Sequence, residues 1–247
     1  MNIIVYSLKD KPDMKTGEIM KSVWPKFMTQ NNYSMKYWST MRRLFPEYQI
    51  CICIDDVLVG IGNSLPIPWS GQLDDLPTSW TDTLVRGVDN GDLNSVNTLA
   101  AVNIAIHPEY QKLGLSQRLL QELKQLSVAK GLTKMVVPVR PSFKADYPLA
   151  CFDKYIYWKR EDGTPFDPWI RTHWKLGATI IKPILKAFTT QGRISEWEDW
   201  TGLEFPESGS YIVKGALQPI IINKEQDIGT YEDPNVWMEY SSEIGFK

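Results

Sequence analysis

Histidine and cysteine are scarce in this chain of 247 residues: His107, His173, Cys51, Cys53 and Cys151 are all there are. Their spacing makes neither a disulfide framework nor a zinc-ligand set, so no metal is expected. Cys51 and Cys53 alternate within "YQICICIDD", which places both on one face of a strand as buried thiols. A catalytic cysteine would need a neighbouring base, and neither histidine is close in sequence. An excess of basic residues is also missing. With 27 Lys and Arg against 29 Asp and Glu, the chain has a formal net charge of -2, and a nucleic-acid partner is not expected. No apolar run approaches membrane-spanning length, and "MNIIVYSLKDKPD" lacks the apolar core and cleavage site of a signal peptide, so the expected location is cytoplasmic, with no membrane partner. Neither G-x-x-x-x-G-K-[ST] nor G-x-G-x-x-G occurs, which removes the common nucleotide-binding classes.

What remains is ample apolar material, 43% of residues, arranged with two periods. "NIIVYSL" reads as a strand, and about Lys15 to Trp24 and Met35 to Leu44 carry helical spacing. "YQICICIDDVLVGIGNSLPI" reads as two strands joined by a tight turn at Asp55 and Asp56. A loop rich in proline, glycine and aspartate follows, then a short helix in "SWTDTLVRGVDNG". "NTLAAVNIAI", from Asn97 to Ile106, is another strand, stopped before Pro108. Leu119, Leu120, Leu123 and Leu126 repeat at helical spacing up to Gly131, and "TKMVVPVRP" is again a strand. This order of strand, loop, helix and strand is a crossover unit compatible with parallel pairing. Further on, Asp167, Pro168 and Gly177 punctuate a helix in "DPWIRTHWKLGA". "ATIIKPILKAF" and "SYIVKGALQPIII" read as late strands.

The loop inside the crossover carries the chemistry. A helix start presents unpaired N–H groups and partial positive charge, so an anion is its natural ligand. In "QKLGLS", Gly114 lets the backbone approach a phosphate and Lys112 adds a cation. One glycine at such a turn is more often plain turn chemistry.

The longer stretch "VNIAIHPEYQKLGLSQRLLQEL" resembles the acyl-CoA motif of the GNAT acyltransferases, a strand followed by Q/R-x-x-G-x-G/A and a helix. Ser116 stands where that family usually has glycine or alanine. The resemblance implies an α/β fold with a mixed, mostly antiparallel central sheet flanked by helices. It implies acetyl-CoA, or another acyl-CoA, as co-substrate and an amine as acceptor. Loop residues Gln111, Lys112, Leu113, Gly114, Leu115 and Ser116 would cradle the CoA pyrophosphate. Ile104, Ala105 and Ile106 would lie at a strand bulge whose N–H faces the thioester. Pro138 fits a place where strands separate to admit the pantetheine arm.

"IRTHWKLGA" resembles the late helix in which many family members place a tyrosine four residues before a glycine to protonate the departing thiolate. His173 holds that position and becomes the candidate acid, against the alternative of a packed helix histidine. Tyr147, Tyr155 and Tyr157 are substitutes, and His107 reads as a turn residue. No acid lies on the strand from Asn97 to Ile106, so the carboxylate base of some relatives is missing.

A single domain over residues 1–247 is expected, with a core at about 1–188, an aromatic-rich insertion at 141–166 that would shape the acceptor pocket, and a C-terminal extension at 189–247. The partner would be a small-molecule or peptide amine, with a homodimer left open. The rival reading is a CoA-binding regulatory or interaction module without catalysis.

Overall fold

The computed structural model describes residues 2–90 and 95–240. In chain order the elements are β1 (Ile3–Ser7), α1 (Gly17–Val23), α2 (Asn32–Leu44), β2 (Gln49–Ile54), β3 (Val57–Ile67), α3 (Trp80–Asp89), β4 (Thr98–Ile106) and α4 (Leu115–Ala129). They continue with β5 (Lys134–Val139), α5 (Phe152–Tyr155), α6 (Pro168–Lys175), β6 (Ala178–Gly192), α7 (Ile194–Thr201), β7 (Gly209–Tyr211), β8 (Ile220–Asn223) and β9 (Ile228–Tyr240).

All the described strands join one sheet, antiparallel except at one place. β1, β2, β3 and β4 follow one another as antiparallel neighbours. The turn at Asp55 and Asp56 has positive φ at both residues, the geometry that a two-residue hairpin requires. β4 and β5 are parallel, joined by α4 as the sequence order implies. β3 carries Gly60 and Gly62 toward α4, where a Cβ on Gly62 would already press on Leu119. Ile61, between them, packs with Ile19 of α1 and Ala105 of β4. Helices α1 and α4 therefore cover opposite faces of the sheet. Cys51 and Cys53 are buried, and burial pushes the Cys51 thiol up to about 12, so it stays a thiol packed in the core.

The C-terminal part corrects two expectations. "SYIVKGALQPIII" is not one strand. β7 and β8 are separated by a turn at Gly215, φ +84°, and the Leu217 N–H in this connection goes to the Tyr231 hydroxyl at 2.8 Å instead of a ladder. Nor is the chain after residue 188 an appendage. β9 pairs along β6 on one edge and, on the other, with β8 through Ile228–Thr230 and with β5 through Val236–Tyr240. It is thus an inner strand of the sheet. Between those partners, residues 231–235 face neither β8 nor β5. A second core, with Phe27, Trp197, Phe205, Ile220 and Tyr231, seats the C-terminal elements against the α1–α2 connection. Residue 91, expected at the end of the α3 segment, and residues 241–247 of the expected extension lie outside the described residues.

Candidate active site

β4 and β5 stay paired for three residue pairs only, Thr98 with Lys134, Leu99 with Met135 and Ala100 with Val136. Beyond them β4 follows β3 and β5 follows β9, so the sheet splits. Pro138, which has no N–H to donate, sits where the β4 ladder has ended. A cavity of about 840 Å³ occupies the split, lined by Ala101 to Ile106 on one strand and by Val137 to Arg140 on the other.

On the α4 side the wall is the loop before that helix. Gly114 is the N-cap in the left-handed region, φ +77°, and a Cβ there would meet nothing within 4 Å. Lys112 is also left-handed, φ +66°, and the Gln111 side chain donates to the Ile106 carbonyl at 3.3 Å. The loop is held open toward the cavity, with the first amides of α4 behind it, which is the arrangement that suits a phosphate. Gln111, Lys112, Gly114, Leu115 and Ser116 all line the cavity, as do Ile104, Ala105 and Ile106. Leu113 does not line it and is half exposed.

The strand bulge is earlier than expected. Asn103 pairs with Asn63 and Ala101 with Ser64, so Val102 is the extra residue, while Ile104 to Ile106 pair regularly with β3. A bulged residue leaves the ladder, and the Val102 carbonyl instead accepts the Trp80 indole N–H at 2.8 Å.

His173 is not brought to this cavity. The helix bearing it is capped as expected, with the Asp167 carboxylate accepting from the N–H groups of Trp169 and Ile170, and Trp169 and Thr172 reach the cavity. His173 points the other way. It is fully buried against Trp169 and Tyr240, its Nδ1 lies 2.7 Å from the Tyr240 hydroxyl, and its Nε2 meets no partner among the described residues. Burial drops its pKa to about 3, so the imidazole is neutral at pH 7 and holds no proton to give. The motif spacing located the helix but not which side of it faces the ligand.

That burial has a measurable sign. In the unfolded chain the imidazole titrates near ~6.5, whereas in the fold it resists protonation down to about 3. Between those values the unfolded state binds the extra proton, so stability falls as pH falls, by about 1.4 kcal/mol per pH unit from this residue. Urea midpoints measured from pH 7 to pH 4.5 should lose this component in His173→Phe. Turnover of the same variant should fall less than about tenfold, and a loss of 10² or more would return the residue to catalysis.

The substitutes are no closer. Tyr155 is buried and donates to Asp167 at 2.9 Å, Tyr147 and Tyr157 are exposed, and none of the three lines the cavity. Of the insertion at 141–166, Ser142 alone among the described residues does so. Tyr147, Tyr155, Trp158 and Phe166 pack their rings on one another, edge to face except for the tilted pairs that Tyr155 makes with Tyr147 and Trp158, and Asp167 ties the segment to α6 by accepting from the Phe143 N–H. The insertion buttresses a helix instead of walling a pocket. His107 is a turn residue whose Nδ1 accepts from the Glu109 N–H. Trp158, Trp197 and Trp200 pack, while Trp169 lines the cavity.

The α1 side of the cavity was not visible in the sequence. Trp24, Trp38 and Trp80 line it. Asn103 accepts from the Trp24 indole at 3.2 Å and donates to Asn63, which donates to Gln49. A chain of neutral amides thus occupies the strand where a carboxylate was looked for. Arg140, just past β5, donates through Nε to both oxygens of buried Asp233, at 2.9 and 3.0 Å, and through Nη2 to the Gly215 carbonyl at 2.7 Å. Burial works against the guanidinium charge and Asp233 more than offsets it, leaving the pKa above its ordinary value. Such contacts join positions nearly a hundred residues apart, and no local pattern marks them.

A family model, "Acetyltransferase (GNAT) family", matches residues 17–150, the stretch that contains the crossover, its loop and both strands of the split. The chain belongs to the GNAT acetyltransferase family. A relative over most of the length is the arginine N-acetyltransferase avaD of Aspergillus versicolor, 30% identical across 89% of this chain and 85% of that protein. YkwB of Bacillus subtilis (strain 168), an uncharacterized N-acetyltransferase, is 27% identical over 45% of this chain and 49% of its own length. Among solved structures, the loading GNATL domain of CurA from Lyngbya majuscula superposes with a TM-score of 0.62 at 21% identity, over 98% of this chain and 97% of that one. The GphF GNAT-like decarboxylase in complex with isobutyryl-CoA gives 0.60 at 12% identity, over 98% and 100%. At those identities the likeness is one of fold. As a member of the GNAT family, the chain is an N-acetyltransferase.

Proposed function

We propose that the protein transfers an acyl group, acetyl in the first instance, from acyl-CoA directly to the amine of a small molecule or peptide. One observation carries this reading. The split between β4 and β5 leads from a phosphate-suited loop on the α4 side to a polar lobe on the α1 side within one cavity. The pyrophosphate would rest on Gln111 to Ser116 and the pantetheine would run through the split. N–H groups on the open edge of β4 would meet the oxyanion as the amine attacks.

The acceptor arrives as a free amine, because the lobe supplies no free base among the described residues. Both oxygens of Asp233 are already occupied by Arg140, Tyr231 and Asn235. Neither histidine lines the cavity, and the thiolate's own pKa near ~8.5 makes it a tolerable leaving group near neutrality. Similarity to avaD makes arginine the first acceptor to try.

The assay is CoA release from acetyl-CoA with free amino acids, simple amines and short peptides, each product confirmed by mass. Acetylation of any of them is expected. Tight CoA binding without release across the set would instead support the binding-only module, and absence of CoA binding would remove both readings.

A further inference from the structure

Arg140 stands at a break in the architecture. β5 has just ended, and the facing stretch of β9, residues 231–235, pairs with neither β5 nor β8. The guanidinium is fixed there from below. Nε is held by Asp233 and Nη2 by the Gly215 carbonyl, while Nη1 meets no acceptor among the described residues. Trp24 lies against it, with Cζ 5.6 Å from the ring centroid. Arg140 lines the cavity beside Trp24, on the α1 side of the sheet, away from the phosphate-suited loop on the α4 side.

The surroundings choose the sign of the ligand. Asp233 offers little to a cation, because Tyr231 donates to it at 2.5 Å, Asn235 at 2.9 Å and Arg140 to both oxygens. Arg42, a second arginine of the lining, has a buried Nε without a partner among the described residues. A planar guanidinium immobilised through one edge presents its remaining N–H groups as a fork, the shape that a carboxylate fits.

We propose that Arg140 anchors a carboxylate of the acceptor, so that the amine acylated belongs to a molecule bearing both groups, as a free amino acid does. The inference rests on the acyl-transfer reading and adds the acceptor's second functional group. An anchored carboxylate fixes the distance from Arg140 at which the amine must lie, and the amine reaches the thioester only if the spacer between them matches.

The test compares matched pairs on the wild-type protein: arginine with agmatine, lysine with cadaverine, phenylalanine with phenethylamine. The amino-acid member of the pair that turns over is expected to have a kcat/KM at least about 30-fold higher, the size of a charge-assisted pair made or lost. In Arg140→Lys, which keeps the positive charge beside Asp233 and loses the fork, the ratio should collapse toward one. The double variant Arg140→Met with Asp233→Asn leaves no buried charge unpaired and should give the same collapse, with its fold checked by circular dichroism. Equal turnover of both members by the wild type, or a ratio untouched in both variants, overturns the anchor while leaving acyl transfer standing. If no amine of either kind is acylated, it is the acyl-transfer reading that fails. Calorimetry with N-acetylarginine against N-acetylagmatine on the CoA-loaded protein then decides Arg140, with equal affinities refuting it and carboxylate-dependent affinity retaining it.

Discussion

Replacing Asp233 with alanine is expected to lower stability by about 3 kcal/mol, the usual consequence of removing one partner from a buried ion pair. The carboxylate is 1% exposed and the Arg140 side chain 17%, so solvent cannot take over the role of the missing acid. Four donor contacts end on Asp233, two from Arg140, one from Tyr231 and one from Asn235. Alanine strands all of them. Asp233→Asn keeps an acceptor and a similar volume, so its loss should be about half as large. Urea unfolding of the three proteins gives the comparison, and an alanine variant with the parental midpoint would mean that Asp233 does not carry the pair.

For Gly114→Val the expected result is a fall of about 10²-fold in CoA affinity with the fold retained. Open space around the missing Cβ rules out a clash with the protein itself. Two other effects remain. Valine is strained at φ +77°, which costs about 1–2 kcal/mol or shifts the loop, and its branches would stand where the phosphate approaches the first amides of α4. Losing one charge-assisted hydrogen bond, roughly 1.5–3 kcal/mol, accounts for a fall of that size. Gly114→Ala should lose less. Calorimetric titration with CoA separates these outcomes, and an unchanged affinity in the valine variant would take the pyrophosphate away from this loop.

The two halves of the site differ in how far the sequence disclosed them. The crossover and its loop are contiguous, so period, turn residues and motif spacing all apply to the one stretch Thr98–Val139, and the loop residues fell on the cavity except Leu113. The acceptor side is assembled from α1, β4, the end of β5 and β9, and nothing local links Trp24, Asn103, Arg140 and Asp233. His173 shows the limit of spacing as a guide. Position in a motif fixed its helix, but a one-residue difference in facing put Thr172 at the cavity and the imidazole in the core. The bulge failed for a similar reason, since its place depends on pairing with β3 and on Trp80 to satisfy the freed carbonyl. β9 was missed because "IGTYEDPNVWMEY" mixes proline and acidic residues into a strand, two of whose polar residues, Asp233 and Asn235, line the cavity.

The inner position of β9 also sets a schedule for synthesis. Val139 and Val236 are ladder partners 97 positions apart, so at about 5–20 residues per second the β5 edge is made roughly 5 to 20 seconds before its neighbour leaves the ribosome. Through that interval the strand Lys134–Val139 offers unpaired N–H and C=O groups beside an apolar face, the condition under which edges join the wrong chain. A chain halted before Ile228 would keep that exposed edge permanently, and the nearest ladder left for it to complete would be with another copy of itself.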